Sequence, residues 1–400
     1  MVATKKKKAE APKVSEAIEE NGLKRLPETR YVESGNVGVD IVLTNGRGIP
    51  LGANILMYGL PGTGKTTIIC DLLKRMLDSH KAAGIPFRVH YIDSESSREL
   101  LRSTGVMEYV YASDEYAPQQ VIYHEHINGL EQLEDIYRRI ADPKGEDIWS
   151  KDIYFNVIDS INRLSAESQL DLDESVNKGD YGDDARTRKK LEKKWFSIIQ
   201  GLGITQFWVS QMSTKQNAGM FEDKKKPAVT DFDIHNMDII LRLVASRSDD
   251  IDVKKIKYNT IQGEKEDITK YVVKLDPGEK PPYTKNRYGQ NLSLDVMLWR
   301  GRGIINAYVI RKMLVEYGYL KDLGQKKAYA MSQELADFLG PEALEYAKIK
   351  DINKIPRKPN LNRLCSKYDS KLKEFLKLNN LYKMKIDDEK APEEEDDGLF

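Results

Sequence analysis

Residues Gly59-Leu60-Pro61-Gly62-Thr63-Gly64-Lys65-Thr66 fill the pattern GxxxxGK[ST], which constrains the fold of this chain more than any other stretch. The pattern works only between a strand and a helix, and both flanks are present. Asn54 to Tyr58 (NILMY) is an apolar run that predicts a buried strand. Ile68 to Leu77 repeats apolar residues at helical spacing until Gly84–Pro86 breaks it. Glycines here let backbone N–H groups turn inward around phosphate oxygens, and the following helix aims its positive end at them. The loop and first helical turn, Gly59 through Thr67, therefore form a candidate ATP site. Lys65 reaches the β- and γ-phosphates, and the Thr66 hydroxyl ligates Mg²⁺.

The rest of the chain agrees with that frame. Val89–Ile92, Ile153–Ile158 (IYFNVI) and Thr205–Val209 (TQFWV) are short apolar runs that predict further strands. Leu130–Ile140 puts Leu130, Leu133, Ile136, Tyr137 and Ile140 on one helical face. A charged helix is predicted from about Asp184 to Gln200. Strands alternating with helices predict an α/β fold with a mostly parallel central sheet. The core would span residues 37–302 and close with the β-rich runs Tyr271–Leu275 and Leu292–Leu298. From Gly303 the texture turns helical and lysine-rich, so a small helical C-terminal domain is expected at 303–384. Residues 385–400 would form a disordered acidic tail, and residues 1–36 a basic arm.

Composition excludes some classes. No run of 18 or more apolar residues appears, so a membrane-spanning helix is not expected. The start, MVATKKKKAEAPK, lacks the apolar stretch of a secretory signal. Cys70 and Cys365 match no metal or disulfide spacing, and a reducing cytoplasm fits them. The net charge of +0 hides a basic start and an acidic run, Asp387–Asp397.

Two carboxylates complete the candidate site. Asp159 ends the hydrophobic strand IYFNVI, where it would hold the Mg²⁺ shell through water. Glu95, in Tyr91-Ile92-Asp93-Ser94-Glu95, stands at another strand end and is the candidate general base for water attack on the γ-phosphate.

In this order the motifs resemble the RecA-type recombinases, especially the UvsX-like recombinases of large phages, over roughly Gly38 to Gly303. GVDIVLTNGRGIPLGANILMYGLPGTGKTT looks like the family's lead-in to its nucleotide loop. YIDSE is similar to the segment with the catalytic glutamate, VIDSI to the magnesium-site strand, and WVSQMS (Trp208–Ser213) to the strand whose terminal glutamine senses the γ-phosphate. That role falls on Gln211. The resemblance implies a RecA-like ATPase core and a DNA-dependent ATPase. It implies filaments on single-stranded DNA that pair with homologous duplex and exchange strands in recombination, repair and replication. A single-strand-binding protein and a mediator are further implied partners, and an oligomerisation segment within residues 1–36 is implied by the resemblance alone.

The DNA-facing loops would lie near Ser165–Gly182 and Lys215–Val229. Lys215 and Lys224-Lys225-Lys226 suit phosphate oxygens, and Arg186 stands at the foot of the first loop. Lys215–Val229 lacks the family's glycine pair. Basic residues of a neighbouring subunit complete such sites, and Lys280 falls at the matching place, with Lys274 and Lys285 nearby. The acidic tail resembles tails that compete with DNA for a basic groove. Three alternatives stay open: an accessory paralogue (loader or filament cap) with little turnover, a hexameric replicative helicase, and a KaiC-like signalling ATPase. The helicase would need a helical domain before the core, where residues 1–36 stand.

Overall fold

A computed structural model of the chain describes residues 30–111, 116–141, 153–164, 190–196, 202–214, 225–245, 255–260, 263–268, 270–276, 285–289, 292–323, 329–355 and 358–389. Its frame is one ten-stranded sheet. In chain order the strands are β1 (Asn54–Gly59), β2 (Phe87–Asp93), β3 (Gln119–Glu125), β4 (Ile153–Asp159), β5 (Thr205–Thr214), β6 (Lys225–Pro227), β7 (Ile239–Ala245), β8 (Lys270–Asp276), β9 (Leu294–Trp299) and β10 (Gly303–Ile304). They lie side by side as β10-β9-β8-β7-β1-β5-β4-β2-β3, with β6 paired to β5.

The run β7-β1-β5-β4-β2-β3 is parallel throughout. β8, β9 and β10 extend it antiparallel. The fold is thus α/β with a mostly parallel central sheet.

Alternation along the strands explains why both faces are covered. Ile55 and Met57 of β1 enter one hydrophobic cluster, while Leu56 and Tyr58 enter the other. Phe207 and Val209 of β5 likewise oppose Trp208. Successive side chains point to opposite faces, so a strand apolar on both must be sandwiched between helices. One face carries α1 (Val37–Thr44), α2 (Lys65–Ala83) and α3 (Arg98–Thr104). The other carries α4 (Leu130–Ala141), the helical residues 190–196 and α5 (Asp231–Asn236).

Beyond β10 come α6 (Asn306–Glu316), a hairpin of Leu320–Asp322 and Tyr329–Met331, then α7 (Gln333–Leu339), α8 (Pro341–Tyr346), α9 (Lys358–Lys367) and α10 (Asp369–Glu389). The C-terminal part is therefore not helical throughout. Its Val309, Ile310, Leu361, Leu364 and Leu372 belong to the same cluster as α1 and α2, so it shares the core's apolar face. Asn36 Nδ2 donates to Asn306 Oδ1 at 2.6 Å, and Lys373 Nζ to Gly35 O at 3.0 Å, across this boundary. α10 runs past residue 384, where the acidic tail was expected to begin. Residues 390–400 and 1–29 lie outside the described residues. Among the described residues no helix is long and apolar enough to cross a membrane.

Candidate functional site

The C-terminal ends of parallel strands are where an α/β sheet opens a crevice, and here β1 runs into the glycine loop. Gly62 and Gly64 have φ of +76° and +86°, a region that L side chains rarely adopt. A Cβ on Gly64 would stand 2.6 Å from the Tyr271 hydroxyl, so glycine is needed there for close approach as well. Thr63 Oγ1 donates to Leu60 O at 2.8 Å, which closes the turn. Lys65 opens α2 and donates from Nζ to Gly59 O and Leu60 O, each at 3.1 Å. Burial lowers the pKa of its ammonium, while the Glu95 and Asp159 carboxylates raise it.

Sheet register sets the second half of the site. Gly59 stands opposite Gln211 in the β1–β5 pairing, and Asp93 opposite Asp159 in the β2–β4 pairing. Strand ends far apart in sequence thereby meet at one edge of the crevice. Asp159 is fully buried; Tyr91 OH donates to its Oδ2 at 2.8 Å and Ser97 Oγ at 3.3 Å. Burial pushes its carboxyl up to about 6, against hydrogen bonds from Tyr91 and Thr66. Its Oδ1 is buried with no hydrogen-bond partner among the described residues. An unpartnered carboxylate oxygen beside a threonine hydroxyl is a donor set that suits a hard divalent cation. Thr66 and Asp159 thus fit a magnesium site. Among the described residues no cluster of three or more His, Cys, Asp or Glu groups could hold a metal. These two side chains would share such an ion with phosphate oxygens and water.

Glu95 sits on a turn built by Asp93. Asp93 accepts from Glu95 N at 2.9 Å, Ser97 N at 2.6 Å and Tyr123 OH at 2.6 Å, and Ser96 between them takes φ +61°. The Glu95 side chain receives Ser160 Oγ at 2.6 Å and Gln211 Nε2 at 3.2 Å, both on Oε1. Arg163 Nε lies 3.9 Å from the same oxygen. Asn162 ties this corner to the next strand: its Oδ1 accepts from Gln211 N at 2.6 Å and its Nδ2 donates to Ala228 O. Gln211 therefore stands where the crevice meets the β5–β6 hairpin, which pairs Met212 with Pro227 and Thr214 with Lys225.

These parts surround a cavity of about 690 Å³, lined by the glycine loop with Lys65, Thr66 and Thr67, and by Glu95 and Gln211. Its far wall is Leu100, Tyr271, Arg300 and Gly301, which the sequence analysis left unassigned. Tyr271 carries no motif. The run Arg300-Gly301-Arg302-Gly303 does offer a signal, because Gly301 and Gly303 both take positive φ. Ser160 and Asn162 were also missed, since their roles depend on register rather than local pattern.

The other candidates spread out. Lys274 sits half-buried on β8, three residues from Tyr271 and so on the opposite strand face, and does not line the cavity. Lys285 donates to His235 O at 2.7 Å, at the end of α5. Lys225 and Lys226 lie on β6, and Lys226 is half-buried. Arg186, Lys215, Lys224, Lys280 and the segment Ser165–Gly182 lie outside the described residues. Compared with protein-family models and with curated proteins, the chain matches none.

Proposed function

We propose that this chain is an ATP-dependent DNA recombinase of the RecA type. It would form filaments on single-stranded DNA and catalyse homologous pairing and strand exchange. The observation that carries this reading is the convergence of Lys65, Thr66, Glu95 and Gln211 on one cavity, although they are distant in sequence. Three motifs far apart in sequence thus meet at one cavity, and sheet register sets the fourth, ending in Asp159, beside Asp93 at the same strand ends.

Backbone amides of the loop and the start of α2 bind the phosphates, and Lys65 exchanges its loop carbonyls for β- and γ-phosphate oxygens. Thr66 and Asp159 hold Mg²⁺, which when bound neutralises charge on the phosphates. Glu95 takes the proton of the attacking water. Gln211 contacts the γ-phosphate and carries its presence or loss into the β5–β6 hairpin, whose strands flank Lys215 and Lys224. A switch of this kind needs contacts that differ between the ATP and ADP states, and the Gln211–Glu95 bond of 3.2 Å is one that phosphate would replace. Neighbouring subunits, single-stranded DNA and homologous duplex are the proposed partners.

The test is ATP hydrolysis with and without single-stranded DNA, beside negative-stain images of the same mixtures. Strong stimulation together with helical filaments supports the recombinase. Closed rings that unwind forks would replace it with a helicase, and weak turnover without filaments would favour an accessory paralogue.

A further inference from the structure

Resting on that reading, we infer that Ser160 is a positioning residue for the general base, fixing which oxygen of Glu95 receives the water's proton. Three observations carry this. First, Ser160 is itself held rigidly: its N–H donates to Ser94 Oγ at 2.9 Å, and that hydroxyl donates back to Ser160 O at 2.8 Å. One serine side chain thus clamps both sides of the other's backbone. Second, the fully buried Ser160 points its hydroxyl at Glu95 Oε1 from 2.6 Å. Third, among the described residues both hydrogen bonds to the Glu95 carboxylate fall on that oxygen, from Ser160 and from Gln211 at 3.2 Å, and Arg163 Nε approaches the same oxygen to 3.9 Å. Among the described residues Oε2 receives no donor.

A carboxylate with one oxygen anchored and the other unengaged presents one oxygen to the water, so orientation need not be found anew in each turnover. The step is then defined. The water oxygen forms a bond to the γ-phosphorus as its proton passes to Glu95 Oε2. The bond from γ-phosphorus to the β–γ bridging oxygen breaks, and its electron pair stays on ADP. Inorganic phosphate leaves, and Glu95 later returns the proton to solvent. Gln211 also holds Oε1, but it is expected to turn to the γ-phosphate when ATP binds. Ser160 is the contact that persists through the cycle.

The experiment compares wild type, Ser160→Ala, Glu95→Gln and the double variant in steady-state ATP hydrolysis on single-stranded DNA, with fluorescent-ADP binding measured on the same samples. Ser160→Ala keeps the backbone clamp from Ser94 and removes only the hydroxyl. The expected result is a kcat about 10–100-fold lower, part of what a general base contributes, with KM and ADP affinity within about twofold of wild type. In the Glu95→Gln background the same change should cost nothing further, because residues acting as one unit are not additive. An unchanged kcat overturns the proposal. So does a joint loss of kcat and ADP binding, or an equal further loss in the double variant, each of which marks a structural role. If wild type binds ADP yet hydrolyses no ATP with or without DNA, the ATPase reading fails by itself, before any variant is compared.

Discussion

Lys65 Nζ rests on two carbonyls of its own loop, Gly59 O and Leu60 O, and is buried enough that desolvation works against its charge. A cation so placed gains when a polyanion arrives, because phosphate oxygens offer it stronger charge-assisted partners than neutral carbonyls. Lys65→Ala should therefore abolish ATP turnover and weaken nucleotide binding about 10–100-fold, the worth of one or two hydrogen bonds to a charged group, as read by fluorescent-ADP titration. Glu95 differs, since its contribution comes only when water attacks. Glu95→Gln should slow hydrolysis by about 10²–10⁴-fold while ATP-stabilised DNA binding persists. Normal turnover in that variant would reject the base assignment. The two substitutions separate binding from chemistry within one cavity.

At the scale of elements, α2 depends on a contact far along the chain. Asp71 Oδ2 accepts from Arg75 Nε at 2.9 Å and from Ile304 N at 3.1 Å, and Arg75 Nη2 donates to Ile304 O at 3.2 Å. β10 is thereby pinned against the helix that carries the glycine loop. Gly303 makes this possible: its φ is +104°, and a Cβ there would stand 2.6 Å from Asp71 Cβ. Gly303→Ala should cost about 2–3 kcal/mol in urea unfolding. Gly318→Ala is the control, with φ +77° and nothing within 4 Å of the added Cβ, and should cost only about 1 kcal/mol. Equal losses would show that conformation alone, and not the Asp71 contact, requires the glycine.

The same elements show what could be read from sequence and what could not. The glycine loop, Glu95 and Asp159 could be singled out from sequence because each follows an apolar strand run within a short span, and the register brings those strand ends together. β3 could not, for this edge strand, QQVIYHE, buries Gln120, Val121 and Ile122 between half-buried, mostly polar residues, with no sustained apolar run. β7 is interrupted by Arg242. Ser160 and Tyr271 acquire meaning only through sheet register, which sets Asp93 beside Asp159 and Tyr271 beside Leu298. No local pattern encodes such pairing.

Of the two apolar clusters, the one that spans both the sheet core and the C-terminal part runs from α1 to α10, and Asp40 of α1 lies buried within its reach. Asp40 Oδ1 accepts from Ser34 N at 3.0 Å, and Lys377 of α10 pairs with Glu33 at 2.6 Å nearby. Burial pushes the Asp40 carboxyl up from 3.8 to about 6, and the Ser34 hydrogen bonds and Lys377 only partly oppose this. The sign follows from linkage. Between about pH 3.8 and 6 the folded chain holds a proton that the unfolded chain has released, so this group's contribution to stability is present at low pH and lost as pH rises. Two pKa units correspond to about 3 kcal/mol. Asp40→Asn removes the titration, while other buried acids such as Asp71 contribute equally in both proteins and cancel in the difference. The stability of the variant relative to wild type should therefore rise by about 2 kcal/mol between pH 4.5 and 7, measured as urea-unfolding free energies. A difference that stays flat with pH would mean that Asp40 is charged throughout. In that case the packing of α10 over α1 would leave its carboxylate better solvated than its burial implies.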